Sequence, residues 1–317
     1  MDERRFLELA LNARRSWARE TVDELSSLHV SDRIFGERRK SVLKADVGIL
    51  WANWFIESAL DPLRYINKDK GYVHIYADAL REIASKLSHL TKVEAADLSR
   101  LIAGEVWEQV EILKSQSERS TFSKDQRFDL LADAGPEPRC WLCGYQFSDE
   151  AIKTFEESAP FRGLERSFVD VFKPNGLNSA DGGIQIDHVE SWSRGGRDRP
   201  SNLRLSCAWC NRHKSNHRSI YDVSGTAHRA RQNDRGIFSL PQKFWIIRLI
   251  ASVRSCEYKQ GCSCTIENTE LTIEPINPNG IASPTNLRVV CPDHHFLKDK
   301  RLLPRRVVSS IWGKVFE

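Results

Sequence analysis

The residues of this chain with the clearest capacity for chemistry lie between Ile184 and Asn216. An alternating apolar run, which includes Ile184 and Ile186, ends on the adjacent pair Asp187 and His188, a pattern typical of a short strand. A carboxylate can bind a cation and an imidazole can accept a proton. We therefore expect the chemistry of the chain at Asp187 and His188.

The residues that follow this pair predict the elements that position it. The Gly195–Gly196 pair allows a turn, Asn202–Leu205 starts a second strand, and a polar helix begins near Asn211. Cys207 and Cys210 stand between that strand and that helix. The predicted order is strand, loop, strand, helix.

The cysteines form local pairs. Cys140 and Cys143 make one Cys-x-x-Cys knuckle, and Cys207 and Cys210 make another. The N-terminal sequence MDERRFLELA lacks the features of a signal peptide, so paired knuckles favour zinc sites over disulfides. Four thiolates satisfy a tetrahedral Zn²⁺ and leave no open position, which predicts a structural zinc that replaces the core of a small unit.

The stretch IQIDHVESWSRGGRDRPSNLRLSCAWCNRHKSN resembles the HNH endonucleases, also called ββα-metal nucleases. The resemblance rests on the Asp-His pair, the Asn202-Leu203 pair and the run Cys-x-x-Cys-Asn-x-x-Lys. It implies that His188 is a general base that activates water and that Asp187 and Asn211 bind a catalytic Mg²⁺ or Mn²⁺. It also implies that Asn202 fixes the loop that orients His188. His213, beside Asn211, is a secondary candidate ligand or substrate contact.

Charge is distributed in a way that suits this resemblance. The net charge of +4 is too small to indicate nucleic acid by itself, but the residues from His188 to Arg218 are locally basic. Beside a nuclease motif, such an excess favours contacts with DNA phosphates over a merely solvated face. The candidate DNA contacts are Arg194, Arg197, Arg204, Arg212, His213 and Lys214.

The C-terminal part repeats the nuclease region. At an offset of 116, Phe238, Ser239, Gln242, Phe244 and Cys256 repeat Phe122, Ser123, Gln126, Phe128 and Cys140; at an offset of 84, Asn286, Leu287, Arg288, Cys291 and Lys298 repeat Asn202, Leu203, Arg204, Cys207 and Lys214. His294 takes the place of Cys210, which predicts a second zinc held by Cys291, His294 and two of Cys256, Cys262 and Cys264.

This second copy differs where catalysis is expected. Glu274 and Pro275 replace Asp187 and His188, and His295 replaces Asn211. Because proline cannot accept a proton, the copy is expected to bind or to scaffold rather than to cut. Its basic tail is either a DNA contact or part of a structural cap; the tail residues are Lys298, Lys300, Arg301, Arg305 and Arg306.

The remaining sequence is expected to be helical. Apolar residues recur at helical spacing before residue 118, and Trp51 and Trp54 lie in a segment predicted to be a buried helix. The fold class is therefore α+β, with a helical recognition or partner domain over residues 1–118, a nuclease domain over 119–235 and a second zinc module over 236–317. The longest apolar run, Val47–Phe55, is too short for a membrane span, so we expect a cytoplasmic protein.

The whole sequence favours a metal-dependent endonuclease that cuts DNA, possible roles being bacterial restriction and phage defence. The alternatives are a zinc-stapled DNA- or protein-binding module without catalysis and a nuclease subunit active only with a partner. One centre cuts one strand, so a double-strand cut requires a homodimer, a protein partner or two successive nicks.

Overall fold

The structure is a computed structural model in which two compact units, Met1–Ala45 and Asp46–Glu317, are distinguished. The residues it describes are 3–16, 19–28, 38–66, 71–114, 122–163, 166–191, 198–232, 236–258 and 261–313.

The first unit is helical. Helix α1 spans Glu3–Ser16 and α2 spans Arg19–Ser27, and Arg5 of α1 donates to Glu24 of α2 over 2.9 Å. Helix α3, Lys40–Ala59, begins in this unit and continues into the second.

The second unit opens with a helical core. Helices α4 (Leu63–Ile66), α5 (Tyr72–Lys86) and α6 (Lys92–Lys114) follow α3. A capping box is present at the start of α6, since the Glu94 carboxylate accepts from the Thr91 backbone and hydroxyl groups. The core is formed by apolar residues at helical spacing on α5 and α6: Ile75, Ala79, Ile83, Ile102, Ala103, Val106 and Val110.

The prediction that Trp51 and Trp54 are core residues is wrong. Their side chains are 66% and 59% exposed, because the buried face of α3 at this end is formed by Ala59 together with the partly buried Phe55 and Ile56. Apolar residues surround much of this helix, so composition alone could not identify the face that packs.

Two modules, each with one of the cysteine groups, complete the second unit. The first contains α7 (Lys124–Ala134), α8 (Asp149–Glu156), β1 (Phe168–Asp170), β2 (Ile184–His188), β3 (Leu203–Cys207) and α9 (Ala208–Lys214). The hairpin of β4 (His228–Gln232) and β5 (Gly236–Leu240) leads to the second, with α10 (Lys243–Val253), β6 (Thr272–Pro275), β7 (Leu287–Val290), β8 (Leu302–Pro304) and α11 (Arg305–Gly313). Strands β2 and β3 are antiparallel, with Asp187 opposite Arg204.

The two modules share a sheet and a buried polar network. Strand β1 of the first module pairs with β8 of the second, and Leu271 donates its backbone N–H to Cys143 O over 2.9 Å. The Asp170 carboxylate accepts from the Thr272 hydroxyl at 2.8 Å and from Arg301 Nε at 3.1 Å. Arg301 is therefore buried in this network, which removes it from the predicted set of DNA contacts.

The repeat is visible in backbone geometry. Trp141 N donates to Leu205 O at 3.0 Å, and Glu257 N donates to Val289 O at 2.8 Å. The helices before the knuckles align differently from the sequence identities: α7 begins at Lys124 and α10 at Lys243, an offset of 119 rather than 116. The helix caps are Ser123 and Gln242, while Ser239 lies in β5. The link between the helix and the first cysteine of the knuckle is three residues shorter in the second module, which accounts for the difference between the two offsets.

The expected ββα order is incomplete in the second module. Where α9 follows β3, a 3₁₀ turn at Pro292–His294 follows β7. Two backbone N–H groups that an α-helix would need are bound elsewhere: Phe296 N donates to Glu274 Oε2 at 2.5 Å and Leu297 N to His295 Nδ1 at 3.1 Å. The prediction of a ββα unit is therefore wrong for the second module, in which a hairpin is followed by a turn.

Candidate active site and metal-binding clusters

Asp187 lies at the centre of a buried charge network. Its side chain is only 4% exposed; Oδ1 lies 2.9 Å from Lys214 Nζ, and Oδ2 accepts from Trp141 Nε1 at 2.9 Å. Lys214 also donates to His188 O at 2.5 Å. Burial raises the pKa of the Asp187 carboxyl, and the Lys214 charge and the hydrogen bonds from Lys214 and Trp141 oppose that rise.

His188 is held by a carboxylate that the sequence did not single out. Its Nε2 lies 2.7 Å from Asp198 Oδ1, and the Phe122 ring lies 6.0 Å from the imidazole, centroid to centroid. Because a carboxylate accepts hydrogen bonds, this contact favours the imidazole tautomer with its proton on Nε2 and its lone pair on Nδ1. The only hint in the sequence is an acid in an otherwise basic loop.

The Asn202 side chain bridges the backbone of the loop after β2. Its Oδ1 accepts from Glu190 N at 2.8 Å and its Nδ2 donates to Glu190 O at 3.1 Å. In the second module, Asn286 Oδ1 accepts from Asn277 N at 2.8 Å and Nδ2 donates to Asn277 O at 3.0 Å. The two asparagines therefore perform the same structural task.

Helix α9 begins three residues earlier than predicted, because Cys207 caps it by accepting from Cys210 N at 3.5 Å. This places Asn211 in the helix, where Nδ2 donates to Gln185 Oε1 at 2.7 Å. Gln185 and Asp187 share one face of β2, so Asn211 and Lys214 of α9 face the same side of the strand. Asn211 uses the donor side of its amide here, which leaves the carbonyl as the side available to a cation.

The first cysteine group is closed and buried. The Sγ atoms of its four residues lie within 4.8 Å of one another, and each side chain is buried; the four are Cys140, Cys143, Cys207 and Cys210. This donor set fits a structural Zn²⁺.

A buried lysine accompanies the first cysteine group, and sequence reasoning missed it. Lys173 Nζ donates to Glu270 Oε1 at 2.7 Å and to Leu271 O at 2.9 Å. Burial lowers the pKa of Lys173, but the Cys143 thiolate and Glu270 outweigh it and hold the pKa well above its usual value. Asn175 Nδ2 also approaches Cys207 Sγ, at 3.9 Å. Lys173 thus places a buried positive charge beside the first cysteine group.

The second group is formed by Cys256, Cys262, Cys291 and His294, whose ligand atoms also lie within 4.8 Å of one another. Cys264 is outside the group. Its carbonyl accepts from Cys256 N at 2.9 Å, just as Tyr145 O accepts from Cys140 N at 2.9 Å. Cys264 therefore takes the backbone position of Tyr145, and Cys262 takes that of Cys143.

One segment of the chain matches a known family. It contains the strand, loop, strand and helix that carry Asp187, His188, Asn202 and Asn211. Residues 177–217 match the model of the HNH endonuclease family. A comparison with curated proteins gives no match, and neither does a comparison with solved structures. The matched HNH region lies wholly in the first module, and it supports a nuclease of this family with a divalent metal.

The residues of the HNH region that were predicted to contact DNA differ in their exposure. Lys214 is buried, so its ammonium serves Asp187 rather than the surface. Arg212 remains half exposed and donates to Asp181 Oδ1 at 2.8 Å, and the His213 ring packs edge-on against Trp209. Arg204 is exposed and donates to Pro200 O and Leu203 O, while Arg194 and Arg197 lie outside the described residues.

In the second module, Glu274 takes the position of Asp187, and each of its carboxylate oxygens accepts a hydrogen bond. Glu274 is buried; its Oε1 accepts from Arg288 Nε at 2.5 Å and its Oε2 from Phe296 N. Burial lowers the pKa of neighbouring His295 to about 4, so this imidazole is neutral at pH 7. Pro275, which follows Glu274, ends β6. Over the described part of the chain, no helix combines the length and the apolar character that a membrane crossing requires.

Proposed function

We propose that the HNH region is the centre of a metal-dependent endonuclease that hydrolyses phosphodiester bonds in DNA. The observation that carries the proposal is the position of His188. It ends a strand beside a buried Asp187, its ring is held by Asp198, and Asn202 fixes the loop between them. An oriented imidazole beside a carboxylate is the arrangement that water activation at a phosphodiester requires.

In this reaction, His188 accepts a proton from water at Nδ1. Asp198 favours this by keeping the other proton on Nε2 and by stabilising the imidazolium that forms. Asn202 holds the backbone after β2, so the imidazole keeps one orientation toward the phosphate.

Asp187 and Asn211 would hold the catalytic Mg²⁺ or Mn²⁺. When bound, this cation would stabilise negative charge on the scissile phosphate and the leaving oxygen. The carboxylate and amide oxygens suit a hard cation, and Asp187 already attracts one positive charge, the Lys214 ammonium at 2.9 Å. The same ion pair favours a second candidate, a nuclease that is inactive until a partner or substrate displaces Lys214.

The two cysteine groups would hold structural zinc, and the helical residues before the first knuckle would bind the target, a protein partner or a second copy. The biological role that best suits this combination is restriction or phage defence in the cytoplasm.

The test is nicking of supercoiled plasmid in Mg²⁺ or Mn²⁺ by the full chain and by His188→Ala, with the exposed His74→Ala as matched control. Loss of the base is expected to slow nicking by about 10²–10⁴-fold, while His74→Ala matches the unmodified chain. Equal nicking by His188→Ala would remove the assignment of the base. No nicking by any of the three would favour the binding module or the partner-gated form.

A further inference from the structure

A second basic surface is lined by residues other than those around His188. An open groove of about 900 Å³ runs between the insertion of the first module and the C-terminal residues of the second. Three arginines line it, Arg166, Arg305 and Arg306, together with the Trp312 side chain. The described residues that line this groove include no aspartate or glutamate. We call it the arginine groove.

The arginines are positioned by specific contacts. The Arg166 guanidinium lies 5.0 Å from the Tyr145 ring centroid, and its stem passes so close to Gly176 that a Cβ there would lie 2.6 Å from Arg166 Cδ. Gly176 has φ +106°, which a side chain would strain. Arg305 donates Nε to Leu177 O at 2.8 Å, and Arg306 is exposed. The groove is thus built from both modules and joined by the pairing of β1 with β8.

The arginine groove is continuous with helix α9. Asn178 lines the groove and precedes the short turn Ser179–Gly182, whose Asp181 accepts from Arg212 of α9 at 2.8 Å. On the same side, Lys243 lies 5.1 Å from the Trp312 ring centroid. Helix α10, which begins at Lys243, packs against α9, which carries Arg212. Burial and the charge of Arg212 lower the pKa of Lys243, and Asp181 opposes this. Positive charge therefore extends from α9 to the groove.

We propose that the arginine groove binds the phosphate backbone of DNA and holds the substrate beside α9. This proposal rests on the proposed nuclease function. An open groove with several guanidinium groups and an adjoining cationic path suits an extended polyanion better than a small anion, which a closed pocket would enclose. The second module, which lacks a general base, then contributes substrate affinity. Contacts with the backbone confer affinity without sequence preference.

The test measures duplex DNA binding by fluorescence anisotropy at several salt concentrations, in a His188→Ala background so that DNA is not cut. Each phosphate contact contributes about 0.9 to the slope of log K against log salt, so changing Arg166, Arg305 and Arg306 to Gln is expected to reduce the slope by about 2.7. The single change Arg306→Gln, at an exposed side chain, is expected to reduce it by about 0.9 and does not depend on the triple variant folding.

The matched control changes Arg81, Arg100 and Arg254 to Gln, three exposed arginines that are ion-paired with Asp78, Asp97 and Glu267. It removes the same net charge and is expected to leave the slope unchanged.

An unchanged slope in Arg306→Gln and the triple variant, or an equal fall in the control, would overturn the groove as the DNA site. Displacement of DNA by poly-glutamate at equal charge would also overturn it and point to an acidic protein. Because binding is measured without cleavage, failure of the nuclease assay and failure of this assay are separate results.

Discussion

The buried pair of Lys214 and Asp187 allows a quantitative test of the candidate metal site. Both side chains are less than 10% exposed, at 8% and 4%, and their charged atoms lie 2.9 Å apart. The change Lys214→Met keeps most of the aliphatic stem and removes the ammonium. Asp187 then keeps one hydrogen bond, from Trp141 Nε1, and loses its only counter-charge within hydrogen-bonding distance among the described residues.

Removal of one partner from a buried ion pair costs about 3–5 kcal/mol, because the remaining charge stays desolvated. We expect a value near the lower limit, about 3 kcal/mol, since the Trp141 bond remains. Burial already raises the pKa of Asp187, and loss of Lys214 raises it further. A raised carboxyl pKa gives stability at low pH that is lost as pH rises, so the deficit is expected to be smallest near pH 4 and to grow toward pH 7.

The same variant reports on the cation. If Asp187 is a ligand, a divalent ion can take the place of the lost ammonium, and Mn²⁺ at about 100 times its Kd would restore about 2.7 kcal/mol. Urea unfolding at pH 7 with and without Mn²⁺ measures this for Lys214→Met, for the unmodified chain and for the double variant Asp187→Asn, Lys214→Met. Equal gains from Mn²⁺ in Lys214→Met and in the double variant would refute Asp187 as the ligand.

Two further predictions concern the second metal-binding group, formed by Cys256, Cys262, Cys291 and His294, and the residue His213. Metal analysis is expected to give two zinc ions per chain, falling to one in Cys262→Ser and remaining at two in Cys264→Ser; the same loss in both variants would contradict the assignment of Cys262. Burial, with help from Lys243 and Arg212, lowers the pKa of His213 to about 4. A lowered histidine pKa gives stability that is present above about pH 6.5 and is lost as pH falls toward 4, by up to about 3 kcal/mol. An NMR titration of His213 with a midpoint near 6.5 would exclude this.

The sequence predicted the parts of the site that local patterns determine. The alternation before Asp187 and the Cys-x-x-Cys spacing depend on residues a few positions apart, and β2, β3 and the first cysteine group follow from them. Asp198 and Trp141 were missed because their roles depend on the loop and the knuckle folding back onto β2. No local pattern marks such contacts.

Identity between residues was also a weaker guide than geometry in the repeat. The shared Ser-x-x-Gln letters align Ser239 with Ser123, yet the helix of the second module begins at Lys243 and Ser239 lies in β5. Backbone hydrogen bonds at the knuckles gave the true alignment, and with it the choice between Cys262 and Cys264.

Comparison of the two modules distinguishes the residues that hold the backbone of the site from those expected to carry out its chemistry. Asn202 and Asn286 make the same pair of bonds to the loop after the first strand, so this loop geometry does not require a catalytic centre. The carboxylates differ. Glu274 is bound by the Arg288 side chain of the facing strand and by the Phe296 backbone N–H after the turn that replaces α9, so both oxygens accept hydrogen bonds.

At Asp187, by contrast, one oxygen is bound by a lysine from α9, and a lysine has a flexible stem and a single ammonium. Replacing that ammonium with a divalent cation requires movement of one side chain, whereas freeing Glu274 would require both movement of the Arg288 side chain and loss of the bond from the Phe296 backbone. We therefore expect the two modules to differ in how the buried carboxylate is neutralised as much as in the presence of His188.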